Sequence, residues 1–363
     1  MNPTKLVLIA AVIPFAISAC SGSSKAVTTT TATPATTTTT TAPTTTSTVS
    51  STTAPPTTTT GAPAPVWPLT GLPVNLTDIG NTGRPAIVAK ISNDQCAWPQ
   101  VGLSQADVIT EEIVEGDITR FFVAFHSKDP GTIGPIRSGR GTDAQYVEMY
   151  TRPIFAWSGG NPSVQGIIRG TNVQDRGAES NASGYFRAGS RCNANTEFVK
   201  AADLWSQAEK DSKAPTAIFT YVDAGRKLPE GDGGLPVSKV EVQVGGYTIR
   251  YEYDKVTNSY KRFRRDGVVH EDEAGNAISP TTVIVAATPY AYASYEPKSP
   301  EANGVGSGDV WVFSGGAAIH GTWTRKSVSD RWHLTDPKGK EIKILPGQAL
   351  VELTRSNSVK IVG

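Results

Sequence analysis

VITEEIVEGDITRFFVAFHS, residues Val108 to Ser127, contains two runs of β-branched and aromatic residues split by Gly116-Asp117. VITEEIVEG and TRFFVAFHS read as strands, and a Gly-Asp pair between them reads as a hairpin tip, so antiparallel pairing is expected. On one extended strand Glu111, Ile113 and Glu115 share a face and Glu112 takes the other. At strand rise Glu111 and Glu115 are then about 13 Å apart. A glycosidase carboxylate pair needs roughly 5–9.5 Å, so these two do not form one unaided. Either a third acid from Asp107, Asp117 or Asp143 completes a site, or the glutamates pair with Arg120, Arg137 or Arg140 in the interior.

Just downstream, GTIGPIRSGRGTDAQ (Gly131 to Gln145) puts Arg137 and Arg140 in a glycine-rich turn ahead of a short helix. Thr142 as N-cap and Gln145 three residues on fit a capping box, and the helix is expected to stop near Tyr150, before Pro153. Such a turn has the makings of an anion site. Glycines allow close backbone approach, helix N–H groups carry a positive dipole end, and guanidinium forks fit carboxylate or phosphate. Ser138, Trp157 and Ser158 are candidate lining residues, although Trp157 reads as core first. Arg137 follows an apolar Pro-Ile step and is expected to pair inside with a glutamate. Arg140, flanked by Gly139 and Gly141, is expected to face a cleft. The spacing is neither a phosphate loop nor a dinucleotide fingerprint, so no nucleotide or other cofactor is implied.

Around this region IVAKI (87–91) reads as a strand, IFAWSGG as a buried strand, and PSVQGIIRG as a helix with Pro162 at its start. TEFVKAADLWSQAEKD reads as the clearest helix, with Phe198, Ala201, Ala202 and Trp205 on one stripe, and AIFTYV as a closing strand. After a Gly/Pro-rich connector the texture changes. Val240, Val242 and Val244, then Tyr247, Ile249, Tyr251 and Tyr253, alternate with polar residues at strand period. Asp266-Gly267 and DPKGK supply turns between further strands to the C-terminus. The fold expected is α+β: a mixed α/β N-terminal domain at 66–228 and a β-rich C-terminal domain at 229–363.

The N-terminus sets the compartment. Lys5, the apolar run Leu6 to Ile17 and Ile17-Ser18-Ala19-Cys20 make an export signal at 1–20. Small residues directly before a cysteine resemble the bacterial lipobox, which implies lipidation of Cys20 and a membrane anchor. Residues 21–65 are almost wholly Thr, Ser, Ala, Pro and Gly, a disordered stalk with nothing to bury. Net charge is +1 and no basic block appears, which argues against nucleic acid. Cys96 and Cys192 are the two cysteines left, and an isolated pair in an oxidising compartment reads as a disulfide. His126, His270, His320 and His333 lack metal-ligand spacing and read as structural or exposed, the last three among solvated turns of the β region. Ser138 and Ser158 lie outside any Gly-x-Ser-x-Gly frame.

GLSQADVITEEIVEGDITRFF (102–122), IGPIRSGR (133–140) and WSGGNP (157–162), with YEYDKVTNSYKRF, GSGDVWVFSGGAAIHGTW and PGQALVEL in the second half, resemble the YerB family of bacterial lipoproteins. The likeness runs from Arg84 onward. It implies a mixed α/β first part and a β-rich second part, and no established activity. Asp117 stands where the family has a second glycine. RCNANTEF (191–198) stands where it shows Pro-His-Asn, so Asn195 matches and no histidine does. The function expected is that of an extracytoplasmic, lipid-anchored accessory or scaffold protein, binding an envelope glycan, peptidoglycan or an envelope protein through an anionic group. The alternative is an enzyme on envelope glycan or peptidoglycan, with Glu111 or Glu115 as acid/base and the arginines as clamp.

Overall fold

In the computed structural model of the chain, residues 65–192, 194–223, 225, 234–356 and 358–363 are described. The expected signal peptide, its Cys20 and the expected stalk through residue 64 lie outside them. The hairpin forms as its sequence predicts. β1 (Ile87–Ser92), β2 (Val108–Ile113) and β3 (Thr119–Phe125) pair antiparallel with β3 in the middle, in a register that sets Glu112 opposite Arg120 and Arg120 opposite Ser92. Every residue of the three strands is buried, because both faces of the sheet are covered. Phe122 and Ala124 face one core with Val88 and Val108; Phe121, Val123 and Phe125 face the other with Ile87 and Ile109. Truncating Phe121 or Phe122 to alanine would cost about 3–5 kcal/mol.

The chain continues through α1 (Gly141–Tyr146), β4 (Ile154–Ala156), α2 (Pro162–Arg169), β5 (Gln174–Asp175) and α3 (Ala201–Ser206). Asn161 caps α2 through its side chain, with Pro162 in the first turn as expected. Beyond residue 234 come β6 (Lys239–Val244), β7 (Tyr247–Asp254), β8 (Ser259–Phe263), β9 (Thr282–Ala287), β10 (Gly306–Ser314), β11 (Ala317–Arg325), β12 (His333–Thr335), β13 (Ala349–Thr354) and β14 (Val359–Ile361). The fold is α+β, with helices in the first part and β structure dominating the second.

One mixed sheet runs through both halves in the order β12-β11-β10-β9-β13-β2-β3-β1-β4-β5. β13 lies parallel between β9 and β2, so a strand from late in the chain joins the halves. A second sheet, β8-β7-β6-β14, is antiparallel throughout and lays Val240, Val242, Val244, Ile249 and Tyr251 on the core that also takes Ile109, Phe121 and Val283.

Three local expectations are corrected. Glu197–Lys200 is a strand, paired with Tyr185–Arg187 and Thr132–Ile133, and only Ala201–Ser206 is helical. Thr142 lies inside α1; Asp143 reaches back to the Arg140 backbone N–H at 2.8 Å and caps the helix instead. AIFTYV makes a single bridge, Tyr221 to Ile344, rather than a strand.

Candidate functional site

The arginine turn threads between the end of β1 and the turn that follows β4. Ile136 bridges Ile91, the Arg137 N–H donates to the Lys90 carbonyl at 2.9 Å, and the Ser158 N–H donates to the Arg137 carbonyl at 2.9 Å. Its glycines serve packing. A Cβ on Gly139 would sit 2.4 Å from Ile168 Cδ1 and 3.0 Å from Trp157, and one on Gly141 would sit 2.3 Å from a Glu301 carboxylate oxygen. Close approach is required, as expected, but the partners are the protein's own side chains.

Glu115 holds the turn's outer end. Its Oε2 accepts from Arg140 Nε at 2.8 Å, and its Oε1 accepts from Arg140 Nη2 at 2.5 Å and Arg120 Nη2 at 2.7 Å. Burial pushes the carboxyl up, but the Arg140 hydrogen bonds and the charges of Arg120 and Arg140 outweigh it and hold it at about 2. Burial, then the charge of Arg140, brings Arg120 down to about 10. Glu296 adds a second, looser carboxylate, 3.7 Å from Arg140 Nε.

The expected roles of the two turn arginines are reversed. Arg140 is buried and paired with Glu115. Arg137 is half-buried and, among the described residues, has no hydrogen bond or ion pair to its guanidinium. Burial and the neighbouring charge of Arg140 lower its pKa, with Glu115 and Asp94 opposing. Ser138 lends its carbonyl to Arg120 at 3.0 Å, and the Ser158 hydroxyl donates to Glu197. Trp157 is core, stacked on Phe155 with its Nε1 donating to Asp175 at 2.8 Å.

Glu111 and Glu115 do not share a face. The strand ends at Ile113, and a tight turn over Glu115–Asp117 carries Glu115 to the arginines beside Glu112. Behind that cluster Lys90 is fully buried and donates to Glu112 and, at 2.7 Å, to Asp143. Burial raises Glu112 to about 7 against the pull of Lys90, with Asp143 adding to the rise. The lysine inside the otherwise apolar IVAKI is the sequence signal for this group, since a strand interior excludes an unpaired lysine.

Through the sheet, Glu111 meets Arg262 Nη2 at 2.5 Å and Asn93 Nδ2 at 2.9 Å. Arg262 also bonds His270 Nδ1 at 2.6 Å and Tyr251 at 3.3 Å, and His270 Nε2 reaches Gln100 Oε1 at 2.8 Å. His270 is therefore a buried network member, not a residue of a solvated turn; burial and Arg262 drive its pKa well down. His126 directly follows β3 and packs edge-on against Trp67. Among the described residues no cluster of His, Cys, Asp or Glu is placed to hold a metal. Cys96 and Cys192 form a disulfide with Cα atoms 5.2 Å apart.

The family described as "Protein of unknown function (DUF3048)" matches this chain with its N-terminal domain over residues 69–214 and with its C-terminal domain over residues 239–351. The chain belongs to that family. The DUF3048 chain is 27% identical over 294 residues to "Putative lipoprotein YerB" of Bacillus subtilis (strain 168), covering 79% of this chain and 85% of the relative. The crystal structure of the Bacillus subtilis YerB protein superimposes with a TM-score of 0.70 at 23% identity, covering 82% of this DUF3048 chain and 99% of the other. That likeness carries the fold.

Proposed function

We propose that this chain is an extracytoplasmic lipoprotein, anchored through Cys20, that binds rather than catalyses. It acts as an accessory or scaffold protein that takes an anionic group of an envelope glycan, peptidoglycan or partner protein at the arginine turn. The observation that carries this is Arg137. Arg120 and Arg140 are neutralised by Glu115 and Glu296, which leaves a half-buried guanidinium without a carboxylate at the turn. A desolvated, unpaired fork is a strong partner for an incoming carboxylate or phosphate.

The enzymatic alternative rests on Glu111 or Glu115 as acid/base. Glu115 is held ionised by two arginines, so it has no proton to give near neutral pH. Glu111 is fully buried and spent on Arg262 and Asn93. Both points favour binding. The test is co-sedimentation of the mature chain with purified cell-wall fragments, compared with Arg137→Ala, across a salt series. The variant should bind more weakly and lose part of the salt dependence while melting as wild type does. Equal retention by both proteins refutes the assignment.

A further inference from the structure

A second group of cations lies away from the arginine turn, at the mouth of the Arg262 network. Asn93, Trp98, Tyr247, Arg262, Arg264 and Arg265 are among the residues that line a small surface cleft with no carboxylate in its lining. Arg262 closes its floor and is satisfied by Glu111. Arg264 is satisfied by Asp266 at 3.0 Å, with its guanidinium 4.5 Å from the Trp98 ring centroid.

Arg265 is different. Its guanidinium lies 4.3 Å from the Tyr247 ring centroid and 5.2 Å from that of Trp98, and among the described residues it has no hydrogen-bond or ion-pair partner. Aromatic rings hold a guanidinium by its faces. The N–H groups lie in the plane of the guanidinium and stay free, presenting the fork that oxyanions accept bidentately.

The aromatic wall is fixed in advance. Trp98 Nε1 donates to Asn93 Oδ1 at 3.1 Å. Arg191 Nη1 donates to the carbonyls on either side of Trp98, Ala97 at 2.7 Å and Pro99 at 2.8 Å. Cys96, two residues before the tryptophan, is tied to Cys192, next to Arg191. A loop clamped this way gives up little further freedom on binding.

We propose that this cleft is an oxyanion site, in which Arg265, backed by Trp98 and Tyr247, takes the phosphate or carboxylate group of a ligand. It goes beyond the arginine-turn assignment and does not depend on it.

The test titrates the mature chain with inorganic phosphate, then with a short polyol phosphodiester and a uronate oligomer, following the Trp98 indole N–H resonance. The two oligomers tell a phosphate source from a carboxylate one. Wild type should show a saturable Trp98 shift, and Arg265→Gln should bind the preferred oligomer about tenfold more weakly or worse, as loss of one charge-assisted contact requires. Arg265→Lys should recover only part, because an ammonium lacks the planar fork. Arg265→Gln should melt as wild type does, the side chain having no protein hydrogen bond to lose. Binding by Arg265→Gln within twofold of wild type, or a Trp98 resonance unmoved by all three probes, overturns the proposal. Loss in Arg137→Ala alone leaves the arginine-turn assignment standing and removes this one; loss in Arg265→Gln alone does the reverse.

Discussion

Glu111 and Glu352 stand opposite each other on the parallel strands β2 and β13, both fully buried, one from each half of the chain. Arg262 lies against Glu111, and Tyr251 donates its hydroxyl to Glu352. Two carboxylates here have one guanidinium between them. Burial, then the charge of Glu111, raises the Glu352 pKa well above the ordinary carboxylate range, so this group keeps its proton.

The sign of the pH effect follows. A carboxyl whose folded pKa is raised binds more protons in the native state than in the unfolded one. Its contribution to stability is full below about pH 4 and is lost as pH rises toward the folded value. Glu352→Gln mimics the protonated form and should flatten that decline, being more stable than wild type at pH 7–8 and equal to it near pH 4. Urea unfolding across pH measures both curves, and parallel profiles would rule the shared proton out.

Glu115 behaves in the opposite sense. Its pKa is held at about 2, so the stability it contributes is present above the ordinary glutamate range and lost as pH falls toward 2. Glu115→Gln leaves Arg120 without its ion-pair partner and Arg140 with only the looser Glu296. We expect a loss of about 2–3 kcal/mol at pH 7, short of the roughly 3–5 kcal/mol of a fully buried pair because Glu115 is partly exposed. The deficit should shrink below pH 4. A deficit that stays constant down to pH 2 would place the stabilisation elsewhere.

The two turn arginines should separate cleanly in melting experiments. Arg140→Ala removes the buried guanidinium of the bidentate pair with the partly exposed Glu115 and should cost about 2–3 kcal/mol. Arg137→Ala removes a side chain without a protein partner among the described residues and should cost within about 0.5 kcal/mol. Similar melting shifts for the two variants would contradict the pairing described.

Cys96 and Cys192 enclose a separation of 96 residues. Reducing the bridge should destabilise the fold by up to about 4.7 kcal/mol in the chain-entropy account. A thiol assay on the denatured, unreduced mature chain should find neither of these two cysteines free. Cys20→Ala should in turn move the protein from the membrane to the soluble fraction, and its continued retention would point to another anchor.

Strand pairs with strong local patterning are legible in the amino-acid sequence. The hairpin at 108–125 and the alternating valines of β6 carry their own periodicity and turn chemistry. What escapes such a reading depends on partners far along the chain. Glu197–Lys200 has a helical stripe around it, yet pairing with Tyr185–Arg187 and Thr132–Ile133 overrides local preference. Strand alternation extended past Ile113 misplaces Glu115, because the chain has already turned there. Arg262 is 151 residues from Glu111, and nothing near either residue announces the other. Composition marks the arginine turn, but which arginine is free depends on where Glu115 lands.

The place of β13 has a consequence for how the protein is made. Residues 349–354 fill a slot between β9 and β2, with older strands on both sides. A chain emerging N-terminus first presents β2 with that edge open until residues 349–354 are free to pair. The two halves therefore close as one act only when β13 is in place, and a chain ending before residue 349 would be left with its sheet split between β9 and β2.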